Sequence, residues 1–412
     1  MKKGYYNIVQ YASVILILLS FTIELNMLSF SDRSKILSVL YGLFIVLYLF
    51  IFTMFRLKFP KTEKVLLLFI MYLAFLCFFS SNKVVTFNYM AKFTFGLLYF
   101  VIGYNFFYRQ EDIKIIGKSA LIILTIGLLI AFYNNLIQQG ISLYDNDFFG
   151  QSLATTYNTF ALLICVMLVF SFTFTTRQIY YSVFLAILTL LLLFLVFKRS
   201  PLLILILAAA TTLLFNADLL KVNSKMRRSL VLILLILVIT YPIYEKRLSE
   251  NLQVRQAAFE SKIEDQPRYK ENLGVFQRIS DNPVTLLFGT GEVFNSKGQI
   301  IYRERMLHTD YANILWGGGV VGFLVYFGFF INLLLVFIKT KRKSGRSIML
   351  NDMSFAGIIM VQSYFACALS QAWTSISVMS LVMLVCGATY GYIRFGHNEQ
   401  IKNRKPLNER SL

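Results

Sequence analysis

Runs of about 20 uncharged residues recur from one end of this chain to the other, the length an α-helix needs to cross roughly 30 Å of hydrocarbon. Lipid offers the backbone no hydrogen-bond partner, so each run must satisfy its own amides, which a helix does within one segment. Of the 412 residues, 57% are apolar and 15% charged, and the mean hydropathy is +0.64. The reading is an all-α, polytopic membrane protein. A soluble nucleotide-binding enzyme is excluded, and so is a single-span receptor. Between charged or turn-rich breaks, twelve transmembrane helices are expected near 7–29, 36–55, 65–80, 93–108, 119–138, 158–176, 178–197, 201–215, 229–244, 310–338, 353–371 and 374–393. The first run lacks a small-residue cleavage site and reads as a retained span, not as a removed signal peptide. The chain then divides into nine spans over 1–244, one long loop with short helices over 245–308, and three spans with a tail over 309–412.

The net charge of +19 would suggest nucleic acid in a soluble chain. Here its distribution decides. With both termini cytoplasmic, the inner segments hold 24 of the 40 Lys and Arg residues, the short outer loops six and the long outer loop ten. Basic residues gather on the cytoplasmic side of short loops, so most of this charge is an orientation signal for a multi-pass protein of the cell membrane. No nucleic-acid partner is needed to explain it. Cys77, Cys165, Cys367 and Cys386 all lie inside apolar runs with no CxxC spacing, and read as packing residues rather than a disulfide framework or a zinc site.

The long loop is the one extracytoplasmic segment large enough to carry a site. Helical spacing of Leu252, Phe259 and Ile263, and then of Leu273, Phe276 and Ile279, predicts two short amphipathic helices on the membrane surface, over 251–263 and 268–279. Ser280-Asp281-Asn282-Pro283 reads as a stop, Gly289-Thr290-Gly291 as a turn, and the chain re-enters the membrane at His308. Gly317-Gly318-Gly319 falls within a span, where small residues permit close helix contact or a bend.

His308 stands where the loop enters the tenth span, with Thr309 or Asp310 placed to cap the helix. The partial positive charge of a helix N-terminus favours anions and gives a neighbouring imidazole reason to stay neutral, which suits a base beside a phosphate-bearing ligand. An interfacial histidine that only anchors the helix is the alternative. Lys198 and Arg199 interrupt an apolar stretch at a tight outer hairpin, where they either pair with an anion or anchor to head groups. Arg268 and Arg278 are ten residues apart in the second loop helix, about 80° around its axis. A guanidinium fork suits bidentate phosphate binding, and an ordinary surface charge is the plain alternative. Glu24, in the outer half of the first span, is a rare intramembrane carboxylate with Arg33 as a candidate partner. There is no GxxxxGK[ST], HExxH, GxSxG or acidic cluster that would hold a metal.

Taken together, these positions resemble the O-antigen ligase and polymerase superfamily, membrane proteins that join lipid-linked oligosaccharides outside the cytoplasmic membrane. His308-Thr309-Asp310-Tyr311, with Gly319 and Gly322 beyond it, is similar to the family's histidine, polar residue and two glycines. Arg268, followed by Pro283 and Leu287-Phe288-Gly289-Thr290-Gly291, is similar to its arginine helix ending in Pro and a Gly-x-Gly turn. Arg199 sits where the family carries an arginine at an outer hairpin, and Asn158 resembles an asparagine at the head of the sixth span. Lys-Arg-Ser replaces the family's frequent Ser-Arg-Gly, Thr309 stands where Asn or Ser is common, and the first four spans are similar only in hydropathy.

The resemblance implies an inverting glycosyl transfer that needs neither metal nor cofactor: a glycan leaves undecaprenyl pyrophosphate and joins a hydroxyl of a lipid-linked repeat unit. Arg199 and Arg268 would stabilise the departing pyrophosphate, and His308 would take the acceptor proton or position the acceptor. Arg278, Lys198, Asp310 and Asn158 would bind substrate. The implied partners are the lipid-linked oligosaccharide, membrane lipid and a chain-length regulator. Polymerase fits better than O-antigen ligase, because nothing marks a lipid A acceptor. A lipid-linked oligosaccharide flippase or other transporter is the alternative of another class, and should show repeated halves and no long loop. An enzyme polymerising peptidoglycan precursors would lean instead on a loop carboxylate such as Asp265 or Asp281.

Overall fold

The computed structural model describes residues 2–25, 30–59, 61–133, 154–196, 199–222, 267–292, 307, 309–344, 348–369, 372 and 375–396. These residues form helices and short turns, with no strand among them. In chain order the helices are α1 (Lys2–Leu25), α2 (Phe30–Met54), α3 (Lys61–Cys77), α4 (Lys83–Phe106), α5 (Gln110–Phe132), α6 (Ala154–Val169), α7 (Thr176–Val196), α8 (Arg199–Val222), α9 (Pro267–Ser280), α10 (Pro283–Phe288), α11 (Asp310–Lys343), α12 (Ile348–Ala368) and α13 (Ile376–Gly391). Among the described residues, seven helices are long and apolar enough to cross a membrane, namely α1, α2, α4, α5, α7, α11 and α13, and shorter apolar stretches lie in α3, α6 and α8. The expected span 229–244 and the expected loop helix 251–263 lie outside the described residues.

The outward faces are apolar as well. Ile8, Tyr11, Ile15 and Leu19 make an exposed stripe at helical spacing on α1, and Val39, Leu43, Val46 and Leu49 do the same on α2. A water-soluble bundle would put charge on those stripes, so their composition is that of surfaces facing lipid.

Several boundaries differ from the hydropathy reading, each for a local reason. The expected span at 93–108 starts ten residues earlier, at Lys83, because the Asn82 side chain caps the helix by accepting from the Val85 N–H at 3.3 Å. The expected span over 158–176 stops at Val169, and a 3-10 turn over Ser171–Thr173 leads to α7. There Thr175 and Gln178 cap reciprocally: the Thr175 N–H donates to Gln178 Oε1 at 3.0 Å and the Gln178 N–H to Thr175 Oγ1 at 3.4 Å.

α13 is the axis of the bundle, buried along its whole length between α4, α12, α1 and α6. Its closest partner is α4, and glycine sets the distance. A Cβ added at Gly103 would collide with the Leu384 carbonyl, one at Gly387 with that of Phe100, and one at Gly391 with that of Tyr104. Small residues of this kind let two helices in lipid gain dispersion contact that bulky side chains would forbid. Beside this seam, α3, α4, α11 and α12 enclose an aromatic cluster of Phe69, Phe93, Tyr326, Phe330 and Tyr364, with Phe330 stacked on Tyr364 at 4.1 Å. The four cysteines are buried and unpaired by disulfide.

Candidate functional site

Helices α9 and α10 and the heads of α6, α8, α11 and α13 lie at one end of the bundle, where α1 and α12 finish. At the head of α11, Thr309 is the N-cap: its Oγ1 accepts from the Ala312 N–H at 3.2 Å. The same hydroxyl donates to Asn272 Oδ1 of α9 at 3.3 Å. Asn313 donates through Nδ2 to the carbonyls of Leu307 at 3.0 Å and Thr309 at 2.8 Å, the two residues that flank His308. Asp310 is fully buried. Its carboxylate accepts from the Tyr364 hydroxyl at 3.3 Å, and the Tyr364 and Tyr326 hydroxyls meet at 2.5 Å. A carboxylate in the first turn of a helix answers the positive end of its dipole, so Asp310 ties the head of α11 to α12.

Against this head lies α9. Val275 and Ile279, one turn apart, pack on Leu307, Ala312 and Trp316. Of the apolar row expected on a membrane-surface helix, Ile279 is buried against α11, whereas Leu273 is 42% and Phe276 55% exposed. The row that α9 turns to α11 is 271–275–279. Asn282-Pro283, expected only as a stop, also starts a helix. Asn282 Oδ1 accepts from the Val284 N–H at 2.9 Å, and Pro283 takes the first-turn position where a missing N–H costs nothing, giving α10.

The turn after α10 meets the glycine run of α11. Gly319 adopts φ +62°, which breaks the helix and frees carbonyls that hydrocarbon cannot satisfy. The Thr290 N–H donates to the Trp316 carbonyl at 2.9 Å, joined by Thr290 Oγ1 at 3.1 Å, and the Gly291 N–H donates to the Gly317 carbonyl at 3.2 Å. The Tyr72 hydroxyl of α3 donates to the Gly318 carbonyl at 2.8 Å, with the Phe288 carbonyl also within 3.2 Å. Gly289 (φ +79°) and Gly291 (φ +75°) give the turn its shape, and a Cβ at Gly289 would strike the Gly317 carbonyl. Buried Glu292 then fastens the segment to the α3–α4 link, accepting from the Ser81 N–H at 2.7 Å, Ser81 Oγ at 2.5 Å and Ser80 Oγ at 3.2 Å. This clasp holds α9 and α10 over the head of α11.

A second polar network ties the remaining heads. Asn158 is buried and its Oδ1 accepts from Ser200 Oγ at 2.8 Å, joining α6 to the start of α8. Thr159, the next residue, shares a hydrogen bond with Ser377 of α13 at 3.0 Å. Glu24 of α1 accepts from Ser375 Oγ at 2.8 Å, Ser377 Oγ at 2.5 Å and the Ser377 N–H at 3.3 Å. It thus caps α13; the side chain of Arg33, its expected partner, lies outside the described residues. α12 packs against α11 on one side and α6 and α8 on the other, so it is the wall shared by the two networks.

Of the expected site residues, His308 and Lys198 lie outside the described residues, and Arg199 and Arg268 are described in backbone only. Arg199 opens α8 beside Ser200, and Arg268 lies on α9 one turn before Asn272. Arg278 is exposed in the last turn of α9, where a cation suits the helix dipole. Sequence reasoning passed over Asn272, Asn313 and Trp316. Asn313 carried a signal, four residues after a capping threonine in a helix. Trp316 is buried under α9, and its indole N–H has no acceptor among the described residues. A comparison of the chain with models of known protein families finds no match, and neither does a comparison with curated proteins.

Proposed function

We propose that this protein is a membrane glycosyltransferase that polymerises polysaccharide repeat units carried on undecaprenyl pyrophosphate, working on the extracytoplasmic side with both termini in the cytoplasm. An acceptor hydroxyl of one lipid-linked unit attacks the anomeric carbon of another. The new glycosidic C–O bond forms as the bond to pyrophosphate breaks, the electron pair leaves with undecaprenyl pyrophosphate, and the acceptor proton passes to His308. Arg199 and Arg268 stabilise the charge on the leaving diphosphate, with Arg278 and Lys198 beside them. Such a leaving group is already a weak base, so no protonating carboxylic acid is required, unlike in a glycosidase.

The observation that carries this reading is the tie between α9 and the head of α11. The Thr309–Asn272 hydrogen bond and the Val275, Ile279 and Trp316 contacts put the helix bearing Arg268 next to the residues that flank His308. Asn158 and Asp310, both buried and hydrogen-bonded to neighbouring helices, act in this scheme by holding the heads that carry Arg199 and His308.

The test is incubation of the purified protein, in chelator, with lipid-linked repeat units alone. A ladder of products is expected, because the chemistry asks for no metal; no ladder there but a single transfer once a lipid A acceptor is added in a second arm would mean ligase, and no transfer in either arm would end the reading. His308→Ala is expected to abolish the ladder at normal protein abundance, and Arg268→Lys to reduce it by about tenfold or more, since a point charge does not replace a bidentate fork.

A further inference from the structure

At the opposite end of the bundle the link between α2 and α3 carries Arg56 and Lys58 beside a pocket of about 160 Å³, walled by Phe55, Tyr104, Tyr108 and Phe395 among others. A single water needs about 15 Å³ of such space, so there is room for a phosphate. The link is held in place. The Lys58 N–H donates to Asn105 Oδ1 at 2.9 Å, Asn105 Nδ2 returns a bond to the Lys58 carbonyl at 3.3 Å, and the Tyr6 hydroxyl donates to the Asn105 carbonyl at 3.0 Å. Lys58 Nζ stands 4.0 Å from the centre of the Phe395 ring.

No acidic residue lines the pocket, and among the described residues Arg56 and Lys58 have no carboxylate partner. The nearby carboxylate of Asp112 is engaged at the head of α5, where it accepts from the Arg109 N–H at 3.2 Å. Two cations over a preformed, aromatic-walled hollow between helix ends make a site for an anion whose remaining part is apolar.

We propose that this pocket binds a phosphate group, flanked by Arg56 and Lys58, as presented by an anionic phospholipid of the adjoining leaflet or by free phosphate. The proposal does not rest on the glycosyl-transfer reading. Its test compares the full chain in nanodiscs of phosphatidylcholine alone with nanodiscs holding increasing phosphatidylglycerol, and with phosphatidylcholine discs given inorganic phosphate, following thermal stability and the lipid retained in native mass spectrometry. Saturable stabilisation and retention with phosphatidylglycerol identify the lipid source, and the same response to inorganic phosphate identifies the soluble one.

In either case Arg56→Gln and Lys58→Gln are each expected to weaken binding by about fivefold, the equivalent of about 1 kcal/mol per cation near an anionic surface. Lys114→Gln with Lys118→Gln removes from the exposed face of neighbouring α5 as much charge as the two pocket variants combined, and is expected to leave binding within twofold. All four side chains are exposed, so the variants should fold. Equal losses in the pocket pair and the α5 pair, or no saturable response to either probe, would overturn the site.

Discussion

Along the α4–α13 seam and at the clasp between α10 and α11, glycine brings backbone against backbone, yet the two contacts differ in what the backbone gains. In the seam both helices keep helical backbone where they touch, and Gly103, Gly387 and Gly391 only remove bulk. In the clasp Gly319 breaks its helix, and the freed carbonyls of Trp316, Gly317 and Gly318 find donors on Thr290, Gly291 and Tyr72. The seam is held by non-directional dispersion over a long face. A few directional bonds hold the clasp, and they can be exchanged one at a time for water where water is present. The first arrangement suits a scaffold; the second suits a segment whose position must be specified while its stability stays modest.

That contrast can be broken from either side. The largest expected effect is at the seam: Gly387→Leu drives a side chain into the Phe100 carbonyl. Overpacking costs about 1–3 kcal/mol where side chains can give way; against backbone the loss should reach the top of that range. Thermal melting in detergent checks it, with hydrogen exchange rising throughout α4 and α13.

Gly319→Ala comes next, at about 1–3 kcal/mol for a residue other than glycine in the left-handed region, with its Cβ also meeting the Gly289 amide. Here exchange should rise across 267–292 while α4 and α13 stay protected. A rise spread evenly over all of them would show that clasp and seam open as one unit. Tyr72→Phe is the smallest step, about 1 kcal/mol for one hydrogen bond, and should loosen 267–292 slightly with no change in the melt of the bundle.

How much of this could be read beforehand depends on the range of the interaction. Local devices were legible: a cap at Thr309 or Asp310, the turn at Gly289-Thr290-Gly291, and a close contact or bend at Gly317-Gly318-Gly319 each follow from residues within a few positions of one another. That the turn and the bend complete each other was not, because one lies in the loop and the other in a span, and neither motif names its partner. Glu24 was recognised as anomalous, but Ser375 and Ser377 stand more than 350 residues away. Which row of α9 packs on α11 was not legible for a different reason. In a membrane chain apolar side chains face lipid as readily as protein, so spacing marks an apolar row without saying which way it faces. Among the site residues, Asp310 was legible locally, as a possible cap of the helix it opens, whereas Asn158 rested on the family resemblance alone. Their hydrogen-bond partners Ser200 and Tyr364 stand on other helices, which local signals do not reach.

The Glu24 cap also fixes an order of assembly. Glu24 leaves the ribosome 351 residues ahead of Ser375, so throughout translation the first helix carries a carboxylate whose hydroxyl partners have yet to be made. Until α13 arrives, the glycine face of α4 is likewise a slot without its occupant. The described bundle therefore closes at its centre rather than at its edge, and a nascent chain stopped before Ser375 would hold α1–α12 and still lack the helix packed among α1, α4, α6 and α12.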